Sequence, residues 1–132
     1  MVSIVNASPT NGLVQTADGS GVLKVQSNGV TTNALAWVSI AGSASPTIRS
    51  SYNVSSITRN SAGDYTITFT TALADANYSA VVTNSLNAAT GYTYPQVFSS
   101  ASAATAPTTS SFRVGTNSNT DPVYMNAIVF GN

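Results

Sequence analysis

A strict two-residue alternation in Tyr65–Thr70 restricts the fold of this chain more than any other feature. Aromatic or aliphatic side chains occupy every second position, and threonine occupies the positions between them. Only an extended strand places every second side chain on one face, so the segment predicts a half-buried β-strand. The polar segment Arg59–Asp64 precedes it and contains Gly63. The sequence therefore predicts a β-hairpin over 49–70.

Short apolar segments recur along the chain between turn residues. Ala34–Ile40 is nearly continuous in apolar residues, which is typical of a strand buried on both faces. Val123–Phe130 is apolar on both faces, so we expect it to be a central strand. About seven or eight short strands, with turns every ~8–12 residues, predict an all-β antiparallel sandwich of jelly-roll-like type.

Three further local predictions concern the second half of the chain. The segment 71–77 is predicted as either one turn of helix or a crossing between sheets. Tyr78 follows it and invites comparison with a tyrosine corner, in which the hydroxyl ties a strand to a preceding loop. Pro95 predicts that a further strand either lies at a sheet edge or contains a bulge. Four residues of that strand are expected to share one face: Tyr92, Tyr94, Gln96 and Phe98.

The first 33 residues differ in texture from the rest. They contain no aromatic residue and one strand-like run, Val22–Gln26, among turn signals rich in Gly and Asn. We therefore expect an N-terminal arm or attachment segment over 1–33 and a β-sandwich domain over 34–132. No secretory signal is evident, and no apolar run approaches the ~20 residues of a membrane helix, so no membrane insertion is expected.

Composition excludes several kinds of chemistry. The chain has 132 residues, which is the size of one domain, and contains no His, no Cys and no Glu. Imidazole and thiolate metal sites, disulfides and His-dependent nucleophiles are thus excluded, and we expect no metal and no cofactor. Four cations and a net charge of zero make nucleic acid an unexpected partner.

The four carboxylates are better explained by turns than by catalysis. Glycan hydrolysis typically requires two carboxylates, one acting as acid and one as base or nucleophile. All four Asp residues occur in turn-like sequences, where such side chains bind their own backbone: Asp18, Asp64, Asp75 and Asp121. The sequence therefore predicts a protein that is not an enzyme. Either Arg49 or Arg59 is expected to pair with Asp64 across the predicted hairpin.

Aromatic and amide side chains supply the candidate binding residues. Tyrosines flanked by Asn and Ser provide the rigid, amphipathic contacts that recognition loops use. The candidates for ligand or receptor contact are Tyr92, Tyr94, Asn87, Asn117 and Asn119. Equally open is that the two tyrosines pack on each other and on a neighbouring subunit. Trp37 lies among apolar neighbours and is predicted to be in the core.

Weak charge favours association of the chain with itself. Only 6% of the residues are charged, although 42% are hydrophobic. A small sandwich normally exposes one face of each sheet to water, so the second apolar face of the last strand needs a cover. The interface would contain either Tyr124, Ile128 and Phe130 or the opposite set, Val123, Met125 and Val129.

An ordered series of segments resembles a known C-terminal domain family of bacteriophage tail-fibre-type and related virion proteins. The segments are 36–40, 49–58, 63–78 and 129–132. The resemblance implies a β-rich domain on the surface of the phage particle, often a homotrimer, and often in contact with host-surface glycan or protein. Residues 1–33 are then expected to bind other virion proteins. Two alternatives stay open: a head-decorating protein bound to the capsid through its N-terminal arm, and a free carbohydrate-binding module.

Overall fold

In the computed structural model, residues 25–28, 30–85, 93–99 and 103–131 are described, and within these ranges the chain is all-β without a helix. Each strand is short and is ended by polar or turn residues, as the sequence predicts. The strands are β1 (Gln26–Ser27), β2 (Val30–Thr31), β3 (Ala36–Ala41), β4 (Thr47–Tyr52), β5 (Val54–Ser61), β6 (Asp64–Phe69), β7 (Ser79–Asn84), β8 (Pro95–Val97), β9 (Ser111–Thr116) and β10 (Tyr124–Phe130).

Eight of these strands form two four-stranded antiparallel sheets that pack on each other. The first sheet has the order β4-β3-β10-β7, and the second has the order β5-β6-β9-β8. The predicted antiparallel β-sandwich is therefore confirmed. β10 is central in the first sheet, as its two apolar faces indicated, and Pro95 begins the edge strand β8.

The core lies between the two sheets because alternate residues of each strand point inward. Tyr65, Ile67 and Phe69 of β6 are buried, as the alternation predicts. Residues of both sheets belong to one buried hydrophobic cluster. Part of this cluster is aromatic, with ring centroids 5.7–6.1 Å apart in mostly edge-to-face contacts: Phe69, Tyr78, Phe98 and Phe112.

The predicted hairpin over 49–70 is wrong in its first strand. β4 belongs to the first sheet and β5 to the second, so the true hairpin joins β5 and β6. The chain changes sheet at Asn53, which has a φ of 53°. This is the left-handed region of backbone conformation, which Asn adopts more readily than most other residues except glycine. Its amide holds the turn, because Nδ2 donates to the carbonyls of Leu35 and Thr71, each at 3.2 Å. Thr71 N–H in turn donates to Asn53 Oδ1 at 2.8 Å.

The segment 71–77 is a crossing between sheets, so that alternative is confirmed. It carries the chain from β6 to β7 without helix, and Leu73 is buried within it. The Tyr78 hydroxyl donates to the Thr108 carbonyl at 2.9 Å and lies 3.1 Å from the Ser111 carbonyl. The tyrosine-corner prediction is thus right about a hydroxyl-to-backbone tie. It is wrong about the partner, which is a later segment of the chain and not the preceding loop.

Only residues 25–28 and 30–33 of the predicted arm are described. β1 and β2 pair as a short antiparallel hairpin, and Asn28 at its turn has a φ of 51°. Thr31 is buried, and Thr32 N–H donates to the Val25 carbonyl at 2.7 Å. Most of the strand-like run Val22–Gln26 lies outside the described residues. The boundary at residue 34 stays a prediction.

Candidate interaction surface

Four residues, one from each strand of the first sheet, form a continuous row across its outer face. Trp37 of β3 pairs with Tyr52 of β4 on one side and with Ile128 of β10 on the other. Ile128 in turn pairs with Val81 of β7. Directly opposed residues of antiparallel strands point to the same face, so these side chains lie side by side. We call these four residues the apolar row.

The apolar row lies on the surface, so the predicted burial of Trp37 is wrong. The exposed fraction is 38% for Trp37, 41% for Ile128 and 57% for Val81. β3 alternates strictly, with Ala36 and Val38 buried on either side of Trp37. The apolar neighbours in the sequence therefore point to the opposite face, and β3 is not buried on both faces.

Next to the apolar row lies a polar row on the same face. Ser50, Ser39, Asn126 and Thr83 are paired in register across the four strands. Asn126 Nδ2 donates to Thr83 Oγ1 at 3.4 Å. Hydroxyl and amide groups thus border the exposed apolar side chains without adding charge to the face.

Two aromatic residues of β10 extend the apolar surface beyond these rows. The guanidinium carbon of Arg49 lies 4.7 Å from the ring centroid of Tyr124, in cation–π geometry. Arg49 therefore does not serve the predicted pairing with Asp64. Phe130, at the opposite end of β10, is exposed and pairs in register with Ser79.

The structure separates the two alternative interface sets by burial. Met125 and Val129 point into the core, whereas Tyr124, Ile128 and Phe130 are all exposed. Val123 is exposed as well, but it precedes β10 and does not share the inward face. The first set is therefore the accessible one. Its role as an oligomer interface stays a prediction.

Of the predicted contact residues, the structure brings Tyr94 and Asn117 together. Tyr94 N–H donates to Asn117 Oδ1 at 2.7 Å, and Asn117 N–H donates to the Tyr94 carbonyl at 3.1 Å. The Tyr94 side chain is 64% exposed. Asn119 is exposed in the same turn as Asn117 and has a φ of 50°. Asn87 and Tyr92 lie outside the described residues.

Tyr94 and Phe98 do not share a face, contrary to prediction. β8 is only three residues long, and Tyr94 precedes it. Phe98 follows β8 with a φ of 53°, and its ring packs against the core. The positive φ at Phe98 redirects its side chain and breaks the alternation that the sequence indicated.

Asp121 is the centre of a polar cluster at one end of the second sheet. Arg59 donates to it from Nε at 3.0 Å and from Nη2 at 2.9 Å, and the Tyr65 hydroxyl donates at 2.6 Å. The N–H of Gly63 also donates to Asp121, at 2.9 Å. Gly63 has a φ of 69° and a Cβ there would collide with Thr116 Oγ1, so the turn requires glycine.

This cluster shifts the pKa values of its members. Burial alone would raise the pKa of Asp121, but the hydrogen bonds from Arg59, Gly63 and Tyr65 outweigh it and lower that pKa below its usual value. Burial, followed by the bond to Asp121, raises the pKa of Tyr65 far above its usual value. The carboxylate is therefore held charged and the phenol neutral, which suits a structural tie.

The turn explanation of the carboxylates is right for Asp75 and wrong for two others. Asp75 Oδ1 accepts from the Asn77 N–H at 2.7 Å, as an Asx turn requires. Asp64 is buried at the start of β6 and forms an ion pair with Arg113, with Asn60 Nδ2 donating to it at 3.1 Å. Asp121 likewise accepts hydrogen bonds from distant groups, those of Arg59, Gly63 and Tyr65. Asp18 lies outside the described residues.

Tyr52 and Val81, which complete the apolar row, were not among the residues predicted from the sequence. The alternation in β7, where Ala80 and Val82 pack toward the core, was the available signal for Val81. In the described part of the chain, no group of three or more acidic side chains is placed to hold a metal ion, and no helix could span a membrane. Searches of family models, of curated proteins and of solved structures each found no match.

Proposed function

We propose that this chain is a non-enzymatic structural protein of a bacteriophage particle, displayed as a homotrimeric β-domain of fibre or spike type. We propose a phage particle because four segments resemble virion fibre domains: 36–40, 49–58, 63–78 and 129–132. The exposed outer face of the first sheet supports the assembly. Its location is then the surface of the virion, with residues 1–33 attaching the domain to other virion proteins.

The apolar row is the single observation that most strongly supports assembly of the chain into a homotrimer. A sheet face that ends in water is normally polar, and contiguous exposed apolar side chains mark interaction sites. Here the row crosses all four strands, exposed Phe130 continues it along β10, and exposed Tyr124 lies beyond the polar row. A protein that functions by surface contact accounts for this face without any catalytic group.

A non-catalytic role is supported by the state of the described carboxylates. Asp64 and Asp121 are each engaged with an arginine, and Asp75 is engaged with the backbone of its own turn. A hydrolytic pair needs one carboxyl free to donate a proton and another free to act as base or nucleophile. In the proposed function all three serve the fold.

Contact with host-surface glycan or protein is assigned to the corner formed by Tyr94 and Asn117. This corner is fixed by two hydrogen bonds, from Tyr94 N–H to Asn117 Oδ1 and from Asn117 N–H to the Tyr94 carbonyl. The exposed phenol is therefore presented at little entropic cost. The corner lies at edge strand β8 of the second sheet, away from the apolar row in the first. Assembly and recognition thus use different sheets.

Labelling of purified phage particles tests this proposal. An antibody against the chain, visualised by electron microscopy on particles encoded by the same genome, is expected to mark the tail. Labelling of the head would replace the fibre assignment with the head-decorating alternative. Absence of the chain from particles, by labelling and by mass spectrometry, would overturn the virion proposal and favour a free carbohydrate-binding module.

A further inference from the structure

We infer that three copies of this chain pack the outer faces of their first sheets around a three-fold axis, with the apolar rows at the centre. This inference rests on the proposed function for the trimer and adds which surface forms it and how. The occupant of the exposed face is thus a second and a third copy of the same chain. The strands run along the axis, so each apolar row crosses one side of a three-sided column.

Charge is the first argument for this occupant. On the described residues of the outer face there is no carboxylate, and the single cation, Arg49, lies over Tyr124 at one end. Copies of a face that is neutral over its central area can approach without bringing like charges together. A basic or acidic partner would find no complementary charge there.

The width of the sheet is the second argument. Four strands spaced about 4.8 Å apart, with their side-chain margins, make a face about 19 Å wide. Three such faces in a triangle lie about 5.5 Å from their common axis, close to half of the ~10 Å that separates packed sheets. The side chains of the central strands β3 and β10, which include Trp37 and Ile128, would therefore fill the column without leaving a hollow centre.

The strand edges supply the third argument. β4 and β7 are the edge strands of the first sheet. A face-to-face dimer would cover the face but leave both edges open, whereas in a three-sided column each β4 meets the β7 of the next copy. Edges that are covered are protected from unwanted strand pairing. The same corner brings the large Tyr52 of one copy against the small Val81 of the next, a favourable combination of sizes.

Scattering and fluorescence test which face forms the trimer. The full chain is expected to show three times its 13.4 kDa mass by multi-angle light scattering. Ile128→Asp should reduce the mass to that of the monomer, keep the β-type circular dichroism spectrum and shift the emission of Trp37, the only tryptophan, to longer wavelength. Thr66→Asp, on the outer face of the second sheet, is the matched control and should leave the trimer intact.

Cysteine cross-linking tests the corner, since the chain has no native cysteine. The double variant Y52C/V81C is expected to give a covalent trimer on a non-reducing gel after mild oxidation. The control T58C/Q96C, on the edge strands of the second sheet, should stay monomeric on the same gel. A trimer by scattering that fails to cross-link through Y52C/V81C overturns the arrangement at the corner.

Three results overturn the inference as a whole. They are a dimer, a trimer that survives Ile128→Asp, and a monomer at tens of micromolar. For a monomer, a change in Trp37 emission on adding a neutral oligosaccharide such as maltohexaose would assign the face to sugar, and a change on deleting residues 1–24 would assign it to that segment. A monomer found in phage particles would overturn the homotrimer but leave the proposed location on the virion standing, so the two failures are distinguishable.

Discussion

The two sheets have the same number of strands, but the outer face of the first is apolar along its central row and that of the second is polar. In the second sheet, Thr66 of β6 pairs with Thr58 of β5 and with Arg113 of β9, whose guanidinium binds Asp64. The adjacent row of that sheet, across β5, β6 and β9, contains only hydroxyl side chains: Ser56, Thr68 and Ser111. The corresponding central row of the first sheet is the apolar row.

The difference shows that low charge does not force an apolar surface on this chain. Threonine has the branched shape that strands prefer and carries a hydroxyl that water can solvate. The second sheet therefore faces water with threonine, serine and one ion pair. Since the chain can build a solvated face in this way, the Trp, Ile and Val of the first sheet have another reason to be there, which we assign to assembly.

The largest effect on the free energy of unfolding is expected from a comparison of the inner and outer faces of β10. Met125 is fully buried, so Met125→Ala should lower the free energy of unfolding by about 2–5 kcal/mol through lost burial and a cavity. Ile128, three residues later on the outer face, should cost less than ~1 kcal/mol in the isolated protomer when changed to Ala. Urea denaturation, at concentrations where scattering gives the monomer mass, measures both values.

A reversal of this order would break the comparison between the inner and outer faces. If Ile128→Ala costs as much as Met125→Ala in the monomer, something within the same chain covers the outer face. Thr66→Ala on the second sheet is the matched outer-face control and should also stay within about 1 kcal/mol.

The sequence was sufficient for the parts of the fold that depend on periodicity. The alternation in Tyr65–Thr70 correctly predicts both the strand β6 and its buried face, because period two admits only one regular structure. The two apolar faces of β10 correctly predict its central position. The turn context of Asp75 correctly predicts its bond to nearby backbone.

What failed depends on which sheet a segment joins, and local pattern does not encode that. The apolar residues next to Trp37 in sequence would look the same whether Trp37 points into the core or out of it. Its burial could therefore not be decided from 34–40 alone. The change of sheet at Asn53 needs one left-handed residue that a regular alternation conceals. The arginine partners of Asp64 and Asp121 are 49 and 62 residues away in sequence, beyond the reach of turn chemistry.

A smaller effect is expected at the polar cluster of the second sheet. Asp121→Asn replaces one accepting oxygen of the carboxylate by an amide that opposes the donors Arg59 and Tyr65. We expect the free energy of unfolding to fall by about 1–3 kcal/mol at pH 7. Asp75→Asn is the matched control, because its exposed turn keeps an accepting oxygen, and it should change stability by less than ~0.5 kcal/mol.

Acid should reduce the difference between Asp121→Asn and the wild type. The pKa of Asp121 is lower in the folded protein than the ~3.9 of an unfolded chain, so its contribution is full above about pH 5 and is lost as the pH falls below ~3.9 and through the lower folded pKa. The unfolding free energies of the two proteins should therefore converge between about pH 5 and pH 2. A gap that stays constant over this range would show that the carboxylate charge does not stabilise the second sheet.

The smallest effect concerns the hydroxyl that ties the crossing between the two sheets. Tyr78→Phe removes the donor to the Thr108 carbonyl and should lower the free energy of unfolding by about 1 kcal/mol at pH 7.

Burial raises the pKa of Tyr78 to about 12, above the ~10 of an unfolded chain, so the folded protein favours the neutral phenol. Stability from this residue is therefore complete below about pH 10 and is lost as the pH rises toward 12. Since phenylalanine does not titrate, the variant should lose stability less steeply between about pH 9 and pH 12, measured by denaturation at several pH values. A Tyr78→Phe profile as steep as the wild type would contradict the prediction.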